Sequence, residues 1–387
     1  MFMESEMGQA KLRIRTMRIG SPEEAQRRLS ALRRPEGESA EVARRVSRIL
    51  GAVRRRGDAA LVEAVRAFDW PCPGAGALRV PAEAMPAAWK ATPPSTRRAL
   101  KAAAASIEAF HVLQRPGRCA PLRRKGLRAG LEILPLDSVG LYVPGGRAAY
   151  PSTLLMLAIP AKLAGVRRVA VASPAGPDGH PSRGVLAAAK LLGIEEVYAL
   201  GGAAAVGAFA FGTPTVPRVD KIAGPGNAYV AEAKRQVFGA VGIDAVAGPT
   251  ELVVLSDGSA PAAFVAADLL AQAEHDAAAS AVLFTTDPSE PARVKAELRR
   301  QLEGSRRAAI QRESLRRFGA LALCADRETA CAAARHLAPE HLSVMAADPG
   351  GWAALASTAA AVFLGPFSPE AAGDYGAGPN HSLPTSG

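Results

Sequence analysis

From residue 131 onward the chain repeats one unit, a short run rich in β-branched residues followed by an alanine-rich stretch of helical character. "SVGLYVP" precedes "STLLMLAIPAKLAG", "VRRVAVASP" precedes "SRGVLAAAKLLG", and "IEEVYALGG" precedes "AAAVGAFAFG". A beat of about 25 to 35 residues holds one strand, one helix and their turns, the grammar of parallel βαβ units. It resumes with "TELVVLSD", a helix over about 260–273, "ASAVLFTTD", a helix over about 289–302, "GALALCAD", a helix through 334, and "HLSVMAAD". Up to about residue 130 the text is helical instead, broken at "DWPCPGAGALRVP".

Single cores stop growing near ~250 to 300 residues, and this chain has 387. The expected fold class is therefore α/β, with two Rossmann-like domains, a cleft between them and an N-terminal helical segment ahead. The segment "VPRVDKIAGPGNAYVAEAKRQVFGAVGIDAVAGPTE" carries two Gly-Pro turns around one helix and marks the crossing between domains. The expected division is an N-terminal arm over 1–38, a discontinuous first domain over 39–140 and 251–387, and a second over 141–250. Neither α/β series contains GxGxxG, so that fingerprint assigns no nicotinamide site.

The net charge of +11 raises the question of nucleic acid. Residues 1–130 hold 26 Lys and Arg against 12 Asp and Glu, and the remainder holds 21 against 24. The excess thus sits in helical text such as "EVARRVSRILGAVRRRGDAALVEAVRAF", where arginines alternate with apolar residues at helical spacing and no aromatic residues interleave. A solvated helix face explains it, and no nucleic-acid partner is expected. Four cysteines without CxxC spacing read as reduced thiols. No apolar run approaches ~18 residues and the start "MFMESEMGQAKLRIR" is acidic where a leader would be apolar, so no membrane partner and a cytoplasmic location are expected.

Three segments concentrate side chains that could do chemistry. In "DLLAQAEHDA", Asp268, Gln272 and His275 follow i, i+4, i+7 spacing and share a helix face. A carboxamide oxygen and a neutral imidazole can both ligate zinc, but the same pair can be hydrogen-bonded structure. "LAPEHLSV" puts Glu340 and His341 at the entry to a strand, where a base could be displayed. "GPFSPEAAGDYGAGPNHSLPTSG" surrounds Asp374, Tyr375, Asn380 and His381 with Gly and Pro, a special backbone that structural tails rarely need.

Taken in order, "GLYVPGGRAAYPST", "AIPAKLAGV", "KIAGPGNAYVAEAKR", "GIDAVAGPTE", "LLAQAEHD", "APEHL" and "GDYGAGPNHSLPTSG" resemble the histidinol dehydrogenase family over nearly the whole chain. The resemblance implies NAD-dependent and zinc-dependent oxidation of L-histidinol through L-histidinal to L-histidine, usually by a homodimer. It implies Gln272, His275 and Asp374 as zinc ligands, His341 as general base and Glu340 as the residue that activates water. It also implies Tyr142 and Asn227 as NAD contacts, with Thr250, Gln272, His275, His341, Asp374 and His381 around the substrate.

Three departures accompany the resemblance. Ala204 stands where the family has an NAD-contacting glutamine. Thr250 stands where a serine is common. Family members continue past "LPTSG" into a small C-terminal domain that brings a fourth zinc ligand and a substrate-contacting glutamate, and that domain is expected to be missing here. A dehydrogenase of the same fold acting on another polyol, such as a sulfonated diol, and a truncated homologue with impaired catalysis stay open as alternatives.

Overall fold

The computed structural model describes residues 12–29, 39–117, 119–145, 150–246 and 248–385. Residues 1–11 and 30–38 of the expected arm, and 146–149 of "GLYVPGGRAAYPST", lie outside the described residues. Two compact units emerge. The first comprises Met1–Glu36, Ala247–Ala372 and Leu383–Gly387; the second comprises Gly37–Val246 and Gly373–Ser382.

The first unit opens with β1 (Arg15–Ile19) and α1 (Pro22–Leu29). The second begins with α2 (Ser39–Arg56), α3 (Asp58–Phe68), α4 (Ala84–Ala91), α5 (Pro94–Val112) and a hairpin of β2 (Leu122–Arg124) and β3 (Leu127–Ala129). Its alternating part runs β4 (Ser138–Tyr142), α6 (Pro151–Leu163), β5 (Arg168–Ser173), α7 (Arg183–Leu191), β6 (Glu196–Ala199), α8 (Gly202–Phe211), β7 (Lys221–Ala223), α9 (Ala228–Val237) and β8 (Gly242–Ile243). The first unit then resumes with β9 (Glu251–Ser256), α10 (Ala262–Ala273), β10 (Ser280–Thr285), α11 (Glu290–Glu303), α12 (Ala308–Phe318), β11 (Ala320–Cys324) and α13 (Arg327–Leu337). It continues through β12 (His341–Met345), α14 (Pro349–Leu355) and β13 (Ala361–Leu364), and α15 (Ala371–Tyr375) leads back into the second unit.

The second unit's sheet is wholly parallel in the order β6-β5-β4-β7-β8. Counted within the unit this is 3-2-1-4-5, the doubly wound order of Rossmann folds. The first unit's sheet is β1-β11-β10-β9-β12-β13, also parallel, and repeats 3-2-1-4-5 with β1 added at one edge. Both sheets are covered on both faces, which is why β4 is buried along its whole length rather than alternating. In the second unit Val139 and Leu141 join α4 to α7 on one side, while Ala170, Ala172 and Tyr198 join α2, α3, α8 and α9 on the other. Gly140 is required on that second side, since a Cβ there would lie 2.6 Å from the Phe209 ring.

Two features depart from the periodicity reading. Residues 39–140 are not compact with 251–387: Val46, Leu50 and Val53 of α2 pack with Ala205, Val206 and Phe209 of α8. An amphipathic face states that it will be buried but not against what. The helical N-terminal region is present as α1 to α5, yet "RTMRI" forms a strand whose register places Arg15 opposite Ala320. Its two arginines hide the apolar signal, as suits an edge position. Cys72, Cys324 and Cys331 are free and buried, and Cys119 is free and exposed. Among the described residues no helix is long and apolar enough to cross a membrane.

Candidate active site

In the first unit the chemistry-bearing residues gather at the amino ends of β9 and β12. These strands are neighbours, with His341 in register with Leu252. Thr250 immediately precedes β9, Glu340 immediately precedes β12, and His341 is the first residue of β12. The turn that delivers them leaves α13 through Ala338 at φ 44°, the only non-glycine residue with positive φ among the described residues. An L-residue in this left-handed region costs ~1–2 kcal/mol, held here beside a functional pair.

Thr250 ties the cluster together. Its hydroxyl donates to Glu340 Oε2 at 2.6 Å and accepts from Gln272 Nε2 at 2.9 Å. Glu340 and His341 are both buried, and His341 Nδ1 lies 3.9 Å from Glu340 Oε2 and 3.8 Å from Glu370 Oε1. Glu370, only 2% exposed, was not among the sequence candidates. The available signal was its place in "SPEAAGD", a segment already marked as unusual, but nothing local told it from a surface glutamate.

Gln272 and His275 close the end of α10, the helix ending at Ala273 and His275 following the C-cap residue Glu274. With Nε2 engaged by Thr250, Gln272 Oε1 is buried and has no hydrogen-bond partner among the described residues. His275 Nδ1 faces the carbonyl oxygens of Ala271 (3.0 Å) and Gln272 (3.3 Å). Carbonyls only accept, so Nδ1 carries the proton and Nε2 is the acceptor nitrogen suited to a metal. The helix C-terminus adds partial negative charge. These residues therefore fit a zinc ion, although no group of three or more His, Cys, Asp and Glu able to hold a metal occurs among the described residues. Asp268, the third residue of this face, instead binds structure: it accepts from Ser343 Oγ at 3.0 Å and from the Glu370 backbone N–H, while burial pushes its carboxyl up to about 6.

In the second unit Tyr142 is the last residue of β4 and Asn227 follows the carboxyl end of the adjacent strand β7, where the strand order reverses. Open α/β sheets bind ligands at that point. The Tyr142 hydroxyl accepts from the Gly202 N–H at 3.1 Å, and burial raises its pKa to about 12. Asn227 caps α9, its Oδ1 accepting from Tyr229 N and Val230 N at 3.0 and 3.2 Å. Gly224, at φ 131°, brings the preceding loop so near Tyr142 that a Cβ would lie 2.1 Å from its carbonyl oxygen. Lys234 holds this loop: 2% exposed, it donates to Gly224 O at 2.9 Å and pairs with Asp244, which accepts from Gly224 N at 2.7 Å. Ala204 is buried in α8.

Asp374 and His381 also belong to the second unit, with His381 Nδ1 3.0 Å from Asp374 Oδ1. A cavity of about 510 Å³ in this unit is lined by Leu134, Leu141, Met156, Pro160, Ala223 and Asn380 among others, and none of Tyr142, Asn227, Asp374 and His381 lines it.

The family model for histidinol dehydrogenase matches residues 32–387. The chain is 52% identical over 339 residues to a histidinol dehydrogenase from Bordetella parapertussis, covering 87% of this chain and 77% of that protein. It is 50% identical over 345 residues to one from Gluconobacter oxydans, covering 89% and 80%. A crystal structure of histidinol dehydrogenase from Elizabethkingia anophelis superposes with a TM-score of 0.90 at 34% identity, covering 97% of this chain and 85% of that one.

Proposed function

Because the chain belongs to the histidinol dehydrogenase family, we propose that it oxidises L-histidinol through L-histidinal to L-histidine in two successive NAD-dependent steps, the last of histidine biosynthesis. The observation that carries this reading is the relay Gln272–Thr250–Glu340, with Gln272 and Glu340 buried and Thr250 half-buried between them, beside His341. It supplies a carboxylate and an imidazole as separate bases, plus an amide oxygen awaiting a partner.

His341 removes the proton of the substrate hydroxyl as hydride leaves the same carbon, work suited to an imidazole near neutral pH. The aldehyde carries no second hydroxyl, so water must add before another hydride can depart. Glu340 takes the proton of that water, and the Thr250 hydroxyl holds the carboxylate in place. Burial of both bases keeps bulk water from competing.

Gln272, His275 and Asp374 would hold zinc, as the family resemblance implies. When bound, the ion orients the substrate through its nitrogen atoms. Tyr142 and Asn227 would contact NAD, which when bound accepts the hydride. Thr250 and His381 border the substrate. The same reading has the enzyme act as a homodimer in the cytoplasm on a small-molecule substrate.

The test is absorbance of NADH with L-histidinol, NAD and zinc added to the full chain. About two NADH per histidinol is expected for a four-electron oxidation. No NADH from a folded, zinc-loaded chain would sink the proposal.

A further inference from the structure

The segment joining Asp374 to His381 is docked with unusual care. Gly378 adopts φ 95°, and a Cβ there would lie 2.5 Å from Ser106 O on α5. On the other side the Asn380 Nδ2 donates to Met156 O on α6 at 2.6 Å, and its Oδ1 accepts from Ser382 N at 2.8 Å. Met156 O can accept that bond because its normal helical donor, four residues on, is Pro160, which has no N–H. A proline inside α6 thus creates the anchor for a segment more than 200 residues away.

The anchored segment holds His381 between two partners. Its Nδ1 faces Asp374 Oδ1 at 3.0 Å and its Nε2 faces Thr153 Oγ1 at 2.9 Å, with Thr153 buried in the first turn of α6. A carboxylate can only accept, so Nδ1 must carry a proton. In the neutral ring Nε2 then accepts from the Thr153 hydroxyl. Both nitrogens are committed, which turns the imidazole into a strut.

We propose that Thr153 and His381 are positioning residues for Asp374: the Thr153 hydroxyl braces the Nδ1–H tautomer of His381 that the carboxylate selects, and His381 fixes the carboxylate in the orientation in which it takes the metal. This rests on the zinc reading above and assigns His381 an action through Asp374. Hydrogen-bond partners of metal ligands typically carry a 10- to 100-fold share of metal affinity.

The experiment is a chelator-competition titration of zinc into the full chain, for wild type, Thr153→Val, Thr153→Ser and Gln272→Ala, with apo-protein melting temperatures alongside. Thr153→Val keeps the shape and removes the donor, so zinc binding should weaken about 10- to 100-fold with little change in melting temperature, and Thr153→Ser should restore it. The ¹⁵N shifts of the His381 ring in the metal-free protein should show a single Nδ1–H tautomer that Thr153→Val erodes. Weakening by Gln272→Ala without weakening by Thr153→Val overturns the strut and leaves the zinc reading standing. Weakening by Thr153→Val alone keeps the strut and overturns Gln272 as a ligand. Failure of serine to restore affinity, or an unchanged tautomer, assigns Thr153 to packing and overturns the proposal.

Discussion

The two units share one strand order and use opposite ends of it. In the second, Tyr142 and Asn227 lie at the carboxyl ends of β4 and β7, the ends that lead into helix N-termini. In the first, Thr250, Glu340 and His341 lie at the amino ends of β9 and β12, beside the C-terminus of α10. The electrostatics differ accordingly: helix N-termini favour anions such as a dinucleotide's phosphates, and helix C-termini favour cations. Topology therefore does not place the chemistry. Which end of the strands is used decides what kind of charge the site can welcome.

The sharpest way to break this comparison is to remove the proposed bases of the first unit, His341 and Glu340. His341→Ala should lower kcat for the first oxidation by about 10²- to 10⁴-fold, the usual range for a general base. Glu340→Gln should spare that step and halt the second, so that single-turnover NADH falls by half and histidinal accumulates. Equal loss of both steps in both variants would merge the two roles.

The matching test in the second unit is Lys234→Met. It strips the buried partner from Asp244 and the donor from Gly224 O, and removing one member of a buried pair costs about 3 to 5 kcal/mol, less here because the Asp244 side chain is 26% exposed. The KM for NAD should rise while kcat holds, measured by steady-state kinetics. A kcat effect without a KM effect would detach this loop from the cofactor.

Each unit also holds one acid whose carboxyl is pushed up to about 6 by desolvation, the buried Asp268 in the first and the half-buried Asp69 in the second. The folded value of Asp268 exceeds its ordinary 3.8, so the folded chain keeps this proton where the unfolded chain has lost it. Its stabilising contribution is complete below about pH 4 and is lost as pH rises through about 6, a swing of up to ~3 kcal/mol. Urea midpoints across that window should show the slope, and Asp268→Asn should flatten it. Asp69→Asn should act in the same direction, but less, since that group is more open to solvent.

The smallest effect is expected at Ala338. Ala338→Gly removes the left-handed penalty but adds unfolded-state freedom, leaving a net change within about 1 kcal/mol. A larger stabilisation accompanied by lower kcat would mean that the strained turn helps to aim Glu340.

Much of the candidate site was legible because its residues come in short, ordered motifs: Glu340 and His341 are adjacent, and Gln272 and His275 are three residues apart at the end of one helix. Glu370 was not, because only burial distinguishes it. Lys234 and Thr153 read as ordinary helix residues until Gly224 O and His381 Nε2 are placed against them. The same holds for Pro160, whose missing N–H acquires meaning only when Asn380 fills it.

The sequence by itself determined the alternation of strands and helices, because the beat of β-branched and alanine-rich runs reflects backbone preferences settled within a few residues. It also carried the residue types of the site and, through its motifs, the family. Tertiary structure alone decided that α2 to α5 serve the second unit's sheet, and that Glu340 and His341 stand at the amino end of β12 beside Thr250 at that of β9. Those choices rest on shape and hydrogen-bond complementarity between segments far apart in the chain, and periodicity records that a face will be buried without recording what will cover it.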